Sequence, residues 1–131
     1  MNKTIITGPQ VTRSDDRGDF IQVTQGEFKQ LSLIKLNKGS FRGKHYHKKT
    51  REGFYLVSGR IRLDNFDLVA EEKEELVVEE NNFFIIEPYV YHNIVGLEDS
   101  LLVVLPDKAF DPTDEDIYSL SAEKKKEHDL D

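Results

Sequence analysis

Apolar residues in this chain come in short bursts of Val, Ile, Leu, Phe and Tyr that Gly, Asn, Asp or Pro interrupts every few positions. That punctuation leaves no room for long amphipathic helices and suits short antiparallel strands. Candidate strands are 20–24, 28–36, 44–47, 54–57, 60–68, 74–78, 83–86, 92–95 and 101–105. Turn signals separate them at Asp15-Asp16-Arg17-Gly18, Asn37-Lys38-Gly39, Ser58-Gly59, Glu80-Asn81-Asn82 and 96–100. The clearest hairpin signal spans 54–63, where Arg60 and Arg62 alternate with Ile61 and Leu63 beyond Ser58-Gly59. So many short strands predict an all-β sandwich or barrel. No linker or repeat divides the 131 residues, so a single domain is expected, with its core over about 11–118 and a charged tail over 119–131. The tail reads as a short surface helix or a frayed end, with His128 solvated in it. The acidic stretch 71–75 reads as an exposed loop.

Charge narrows the partners. Eighteen basic against twenty-five acidic residues leave a net charge of −7, which argues against a phosphate-backbone binder and so against nucleic acid. The absence of Cys removes disulfides, thiolate ligands and thiol nucleophiles. No apolar run approaches a membrane span, and the N-terminal ten residues carry no signal-peptide core. The expectation is a cytoplasmic, untagged protein that does not bind membranes.

Three of the four histidines can meet. His45 and His47 are two apart, so on a strand both imidazoles point to one face. Glu52 opens the next apolar segment, and His92 lies on a later one. A closed β structure lets such separate strands aim at one spot. Three imidazoles and a carboxylate form a plausible shell for a divalent transition ion, with Zn, Fe, Mn and Ni all compatible. On the same parity as Glu52, Phe54 and Leu56 should floor the cavity, whereas Tyr55 should not face it.

The spacing Gly39, five residues, His45, one, His47, four, Glu52, six, Gly59 matches the first motif of the cupin superfamily at every fixed position. The second cupin motif keeps only its histidine, His92. Asn81, Glu87, Tyr89 and Gly96 stand where Gly, Pro, Gly and Asn are usual. The resemblance implies a cupin-type double-stranded β-helix, a small β-barrel or jelly roll, with His45, His47, Glu52 and His92 as metal ligands. More locally, SDDRGDF at 14–20 and FRGKHYH at 41–47 resemble the sugar-nucleotide 3,5-epimerases of the dTDP-rhamnose pathway. From Phe41 onward, including FDPTDEDIY at 110–118, the chain also resembles the C-terminal cupin domain of bifunctional capsular polysaccharide enzymes. These likenesses imply an epimerase or isomerase acting on a UDP- or dTDP-linked 4-keto-hexose, in a homodimer. They also imply a substrate-gripping Arg42 and a catalytic His45. Two departures qualify the likeness. The rhamnose enzymes place Gln where His47 stands and use no metal, and the capsular enzymes carry a reductase domain that is not expected within these 131 residues.

Each feature also has a plainer reading. The histidine cluster could be satisfied polar interior without an ion. Strict alternation from His45 turns Arg42 outward unless Gly43 breaks the pleat. Asp16 and Arg17 occupy a turn that needs no functional reason. Tyr46, Tyr89 and Tyr91 fall off the histidine parity and read as outer-face packing. Lys44, Lys48, Lys49 and Arg51 form either a solvated rim or an anion-attracting one. Two rival functions use the same residues: a metal-dependent cupin dioxygenase, and a non-catalytic cupin that binds or senses a small molecule.

Overall fold

The computed structural model describes residues 4–131. The first three residues of the N-terminal stretch read above as untagged lie outside that range. Among the described residues the chain makes ten strands and one short helix. Strands β1 (Val11–Asp15) and β2 (Gly18–Gln22) pair only with each other, as an exposed ribbon. The rest form two four-stranded antiparallel sheets. One has the order β3 (Ser32–Leu36), β10 (Ser100–Pro106), β5 (Glu52–Ser58), β8 (Phe83–Ile86). The other runs β4 (Phe41–His45), β9 (Val90–Gly96), β6 (Arg60–Asp67), β7 (Glu72–Glu79).

Period-two alternation builds the core between them. Leu36, Phe54, Leu56, Phe84, Ile86, Leu102 and Val104 come from the first sheet, and Ile61, Leu63, Val78 and Ile94 from the second. Phe54 stacks on Phe84 with ring centroids 5.0 Å apart. The all-β jelly-roll architecture is the expected one.

Four local expectations are corrected. The 54–63 segment is not a hairpin: β5 and β6 lie in different sheets, and the chain turns the corner at Gly59. Alternation is the same in a hairpin and in a corner, so the pattern could not separate them. Gly59 has φ +97°, and a Cβ there would collide with Ser100 Oγ, so only glycine fits this crossing. The acidic stretch is not all loop, because Glu72 to Glu75 belong to β7, which pairs in register with β6. Strand β4 starts at Phe41 and ends at His45 rather than covering 44–47, and β1 went unforeseen because its residues are mostly polar and exposed.

The tail is ordered against the second sheet. Ser121 caps helix α1 (Ala122–Glu127), its side chain accepting from Lys124 N–H. Beyond the helix, His128 is not solvated: its ring lies 4.5 Å from that of Phe66. Lys73 Nζ donates to the Asp129 carbonyl, 3.1 Å, and the Tyr91 hydroxyl lies 3.4 Å from that of Asp131. Among the described residues no helix is long and apolar enough to cross a membrane.

Candidate metal centre

The site is made where β4 meets β9. Pairing runs Phe41 to Val95, Arg42 to Ile94 and Gly43 to Asn93, then jumps to His45 opposite His92. Lys44 is therefore an extra residue, a β-bulge, with Gly43 at φ +125° and Lys44 at φ +59°. The bulge resolves the parity of Arg42. Its partner Ile94 and His45's partner His92 are both buried on the inner face, so Arg42 and His45 share that face. The Gly43 backbone passes so close to β9 that a Cβ would sit 2.6 Å from the His92 carbonyl oxygen.

His47 lies just beyond β4 and is tied from both sides. Its carbonyl accepts from Tyr89 N–H, 2.7 Å, which joins it to the start of β9. Tyr46 and Tyr118 form an antiparallel bridge that brings the 111–118 loop alongside. From that loop the Asp116 carbonyl accepts a hydrogen bond from His47 Nδ1, 2.8 Å. Glu52 enters as the first residue of β5.

These connections bring the rings of His45, His47 and His92 together. Centroids are 4.8 Å apart for His45 and His92, 5.1 Å for His45 and His47, and 5.5 Å for His47 and His92. One ligand nitrogen from each histidine lies within 4.8 Å of the others. Glu52 Oε1 is 2.7 Å from His47 Nε2 and 3.8 Å from His92 Nε2.

Hydrogen bonding decides what these atoms offer. A carbonyl only accepts, so His47 carries its proton on Nδ1, and His92, whose Nδ1 lies 3.0 Å from the Val90 carbonyl, does the same. In the neutral imidazoles both Nε2 atoms then present lone pairs. His47 Nε2 and Glu52 Oε1 are buried without a hydrogen bond, close together but not aligned for one. At this distance the two atoms need positive charge between them, supplied either by a proton on His47 Nε2, which the Glu52 carboxylate favours, or by a metal cation. The donor set of imidazole nitrogens and one carboxylate is the kind that binds divalent transition ions, and its carbonyl-backed histidines are typical of such centres.

Protonation follows the same geometry. Burial, then the neighbouring His45, pushes His92 down to about 4. Burial and the nearby His47 also lower His45, against the opposing pull of Glu52 and the Gly43 backbone. Burial works against charge on His47, yet the Glu52 carboxylate outweighs it and raises the imidazole. Burial likewise opposes ionisation of Glu52, but His47 holds its carboxyl below the usual range.

His45, Glu52 and His92 form one wall of a cavity of about 420 Å³, with Arg42 on the same rim and Ile34, Phe54, Ile94 and Val104 supplying apolar surface. Phe54 floors this cavity as expected, while Leu56 lies deeper, in the core. The tyrosines stay off the histidine face. Tyr46 packs between Tyr89 and Tyr118, and Tyr91 is buried beneath the C-terminal residues. The basic cluster is dispersed rather than a single patch. Lys44 lies over Phe41, Lys48 over Tyr118, Lys49 pairs with Asp114, and Arg51 with Glu87. Arg17 pairs with Asp15 at the exposed tip of the β1–β2 ribbon. Sequence reasoning missed Asp116 as a contributor to this site, and its one signal was a place in the FDPTDEDIY stretch.

A family model described as the polysaccharide biosynthesis C-terminal domain matches residues 13–118. A search of curated proteins finds no match. Among solved structures, the dTDP-4-dehydrorhamnose 3,5-epimerase from Sulfolobus tokodaii superposes with a TM-score of 0.77 at 21% identity, over 92% of this chain and 78% of that one. The WlaRB TDP-quinovose 3,4-ketoisomerase from Campylobacter jejuni reaches 0.78 at 17% identity, over 92% and 95%. The capsular polysaccharide assembling protein CapF from Staphylococcus aureus reaches 0.64 at 26% identity, and the match covers 88% of this chain but only 34% of that protein.

Proposed function

The chain belongs to the polysaccharide biosynthesis C-terminal domain family and has the cupin fold, and on that premise we propose that it is a metal-binding enzyme that epimerises or isomerises a UDP- or dTDP-linked 4-keto-hexose. The observation that carries this reading is the pair of buried atoms without a hydrogen bond, His47 Nε2 and Glu52 Oε1, of which Glu52 lines the Arg42 cavity beside His45 and His92. His45, His47, Glu52 and His92 would hold the ion. When bound, it would supply Lewis-acid polarisation of the substrate's keto oxygen.

A C–H beside a ketone is acidic because the resulting carbanion delocalises onto oxygen. His45 lines the cavity and burial favours its neutral form, but one imidazole lone pair cannot both ligate and accept a proton, so His45 would act as the base only when displaced from the ion. Returning the proton to the opposite face inverts the centre, and returning it to the neighbouring carbon moves the ketone. Arg42, with its planar fork of donors, would grip the diphosphate or the keto oxygen. The cavity is within the usual size range for small-molecule sites and combines apolar walls with the polar groups of Arg42, His45, Glu52 and His92.

Two measurements test the reading. Protein purified without chelators should contain one transition ion per chain, and a 4-keto sugar nucleotide incubated in D₂O should gain deuterium beside its ketone. Oxygen uptake without exchange would place the chain with the dioxygenases, and binding without either would make it a sensor. His45→Asn separates that residue's two roles. Lost exchange with retained metal identifies the base, whereas loss of both identifies a ligand. A homodimer would cover the exposed Phe20, Leu31 and Leu33 and the β3 edge. Sedimentation at micromolar concentration should give twice the chain mass.

A further inference from the structure

We propose that Asp116 is a positioning residue for His47: its carbonyl and its carboxylate together hold the imidazole in the tautomer that turns the Nε2 lone pair toward His45 and His92. What that lone pair serves rests on the metal reading above; how it is set does not.

Asp116 reaches this place from a loop 69 positions away in sequence from His47. It makes two kinds of contact there. The carbonyl accepts from His47 Nδ1, 2.8 Å. The carboxylate grips the three residues that follow His47: Oδ1 accepts from Lys48 N–H at 2.9 Å, and Oδ2 from Lys49 N–H at 3.0 Å, Thr50 N–H at 3.0 Å and the Thr50 hydroxyl at 2.8 Å. The residue is 9% exposed, and these four bonds hold its carboxyl below the usual range although burial acts the other way. Its backbone is left-handed, φ +48°, a conformation Asp tolerates better than most residues.

The arrangement matters because two acceptors compete for one ring proton. The Glu52 carboxylate, 2.7 Å from Nε2, favours the proton on Nε2. The Asp116 carbonyl favours it on Nδ1. A neutral imidazole can satisfy only one of them, and Nε2 is a ligand only when Asp116 wins. The carboxylate clamp keeps the carbonyl in place against the 48–50 turn, which also leads the chain to Glu52. A residue in this position sets ligand orientation from outside the ligand shell, where loss typically weakens metal binding 10–100-fold.

The test uses full-length, chelator-treated protein with ¹⁵N-labelled histidine. At a pH where the spectra show His47 to be neutral, long-range ¹H–¹⁵N correlations should find its single ring proton on Nδ1. In Asp116→Gly, which accepts the backbone conformation but removes the clamp, the proton should move to Nε2, and Co²⁺ affinity should fall 10–100-fold with an altered visible spectrum. Asp116→Asn, retaining one acceptor oxygen, should recover part of both. Thr50→Ala, which removes a single bond, should shift both slightly in the same direction should Asp116→Gly fail to fold. Asp114→Asn, altering an exposed neighbour in the same loop, should change neither. Neutral wild-type His47 protonated on Nε2 would overturn the proposal, as would an Asp116→Gly protein with unchanged tautomer and cobalt affinity. A wild type that takes up no Co²⁺, yet shows the Nδ1–H tautomer that Asp116→Gly abolishes, supports the positioning role and overturns the metal reading instead.

Discussion

His92 illustrates how a side chain becomes a ligand through the residues around it. It is fully buried, its Nδ1 is spent on Val90, and burial with the neighbouring His45 holds it at about 4 against an ordinary 6.5. In chelator-treated protein the unfolded chain therefore binds a proton between those two pH values that the folded chain refuses. Stability is full above pH 6.5 and falls as pH drops toward 4, by on the order of 3 kcal/mol. Urea midpoints measured across that window should show the decline, and His92→Gln should flatten it. An unchanged slope in that variant would locate the acid sensitivity elsewhere. The residue types and the His45, His47 and Glu52 spacing were legible in the sequence, because strand parity is a local property. Asp116 was not, because its contacts span a sequence separation that no local pattern encodes.

Among the elements, the β4–β9 pair decides the composition of the site. A regular β4 would turn Arg42 away from the face of His45, and the extra Lys44 after Gly43 turns both inward. Gly43→Ala meets two obstacles, a positive φ and a Cβ 2.6 Å from the His92 carbonyl oxygen. The expected cost is about 2 kcal/mol in a denaturation midpoint, together with reduced bound metal, as β4 shifts against β9. A stable variant with full metal content would show that the bulge does not set the face. At the level of elements, Gly43 was legible as a possible break in the pleat, but whether the break occurs depends on β9 lying against it. The corner at Gly59 shows the same limit, since alternation on both sides of Ser58-Gly59 fits a hairpin and a sheet-to-sheet crossing equally.

Across the molecule, the two sheets enclose the core and the C-terminal residues close the outer face of the second sheet. Phe66, 2% exposed, is covered by His128, and Tyr91 lies beneath Asp131. Ending the chain after Tyr118 should therefore lower stability by about 2–3 kcal/mol, the scale of uncovering one large side chain, while leaving metal content unchanged, because none of residues 119–131 lines the cavity. Thermal melts with metal analysis on the shortened chain would check both halves of that expectation. By itself the sequence determined the all-β class, the inward parity of Ile61 and Leu63, and the candidate ligands, because alternation and turn chemistry act over a few residues. Only the tertiary structure decided which strands share a sheet, that Arg42 joins the histidine face, that the tail packs, and which nitrogen of His47 meets the Asp116 carbonyl. Each of those depends on a partner far away along the chain, whose position exists only once the two sheets have closed around their core.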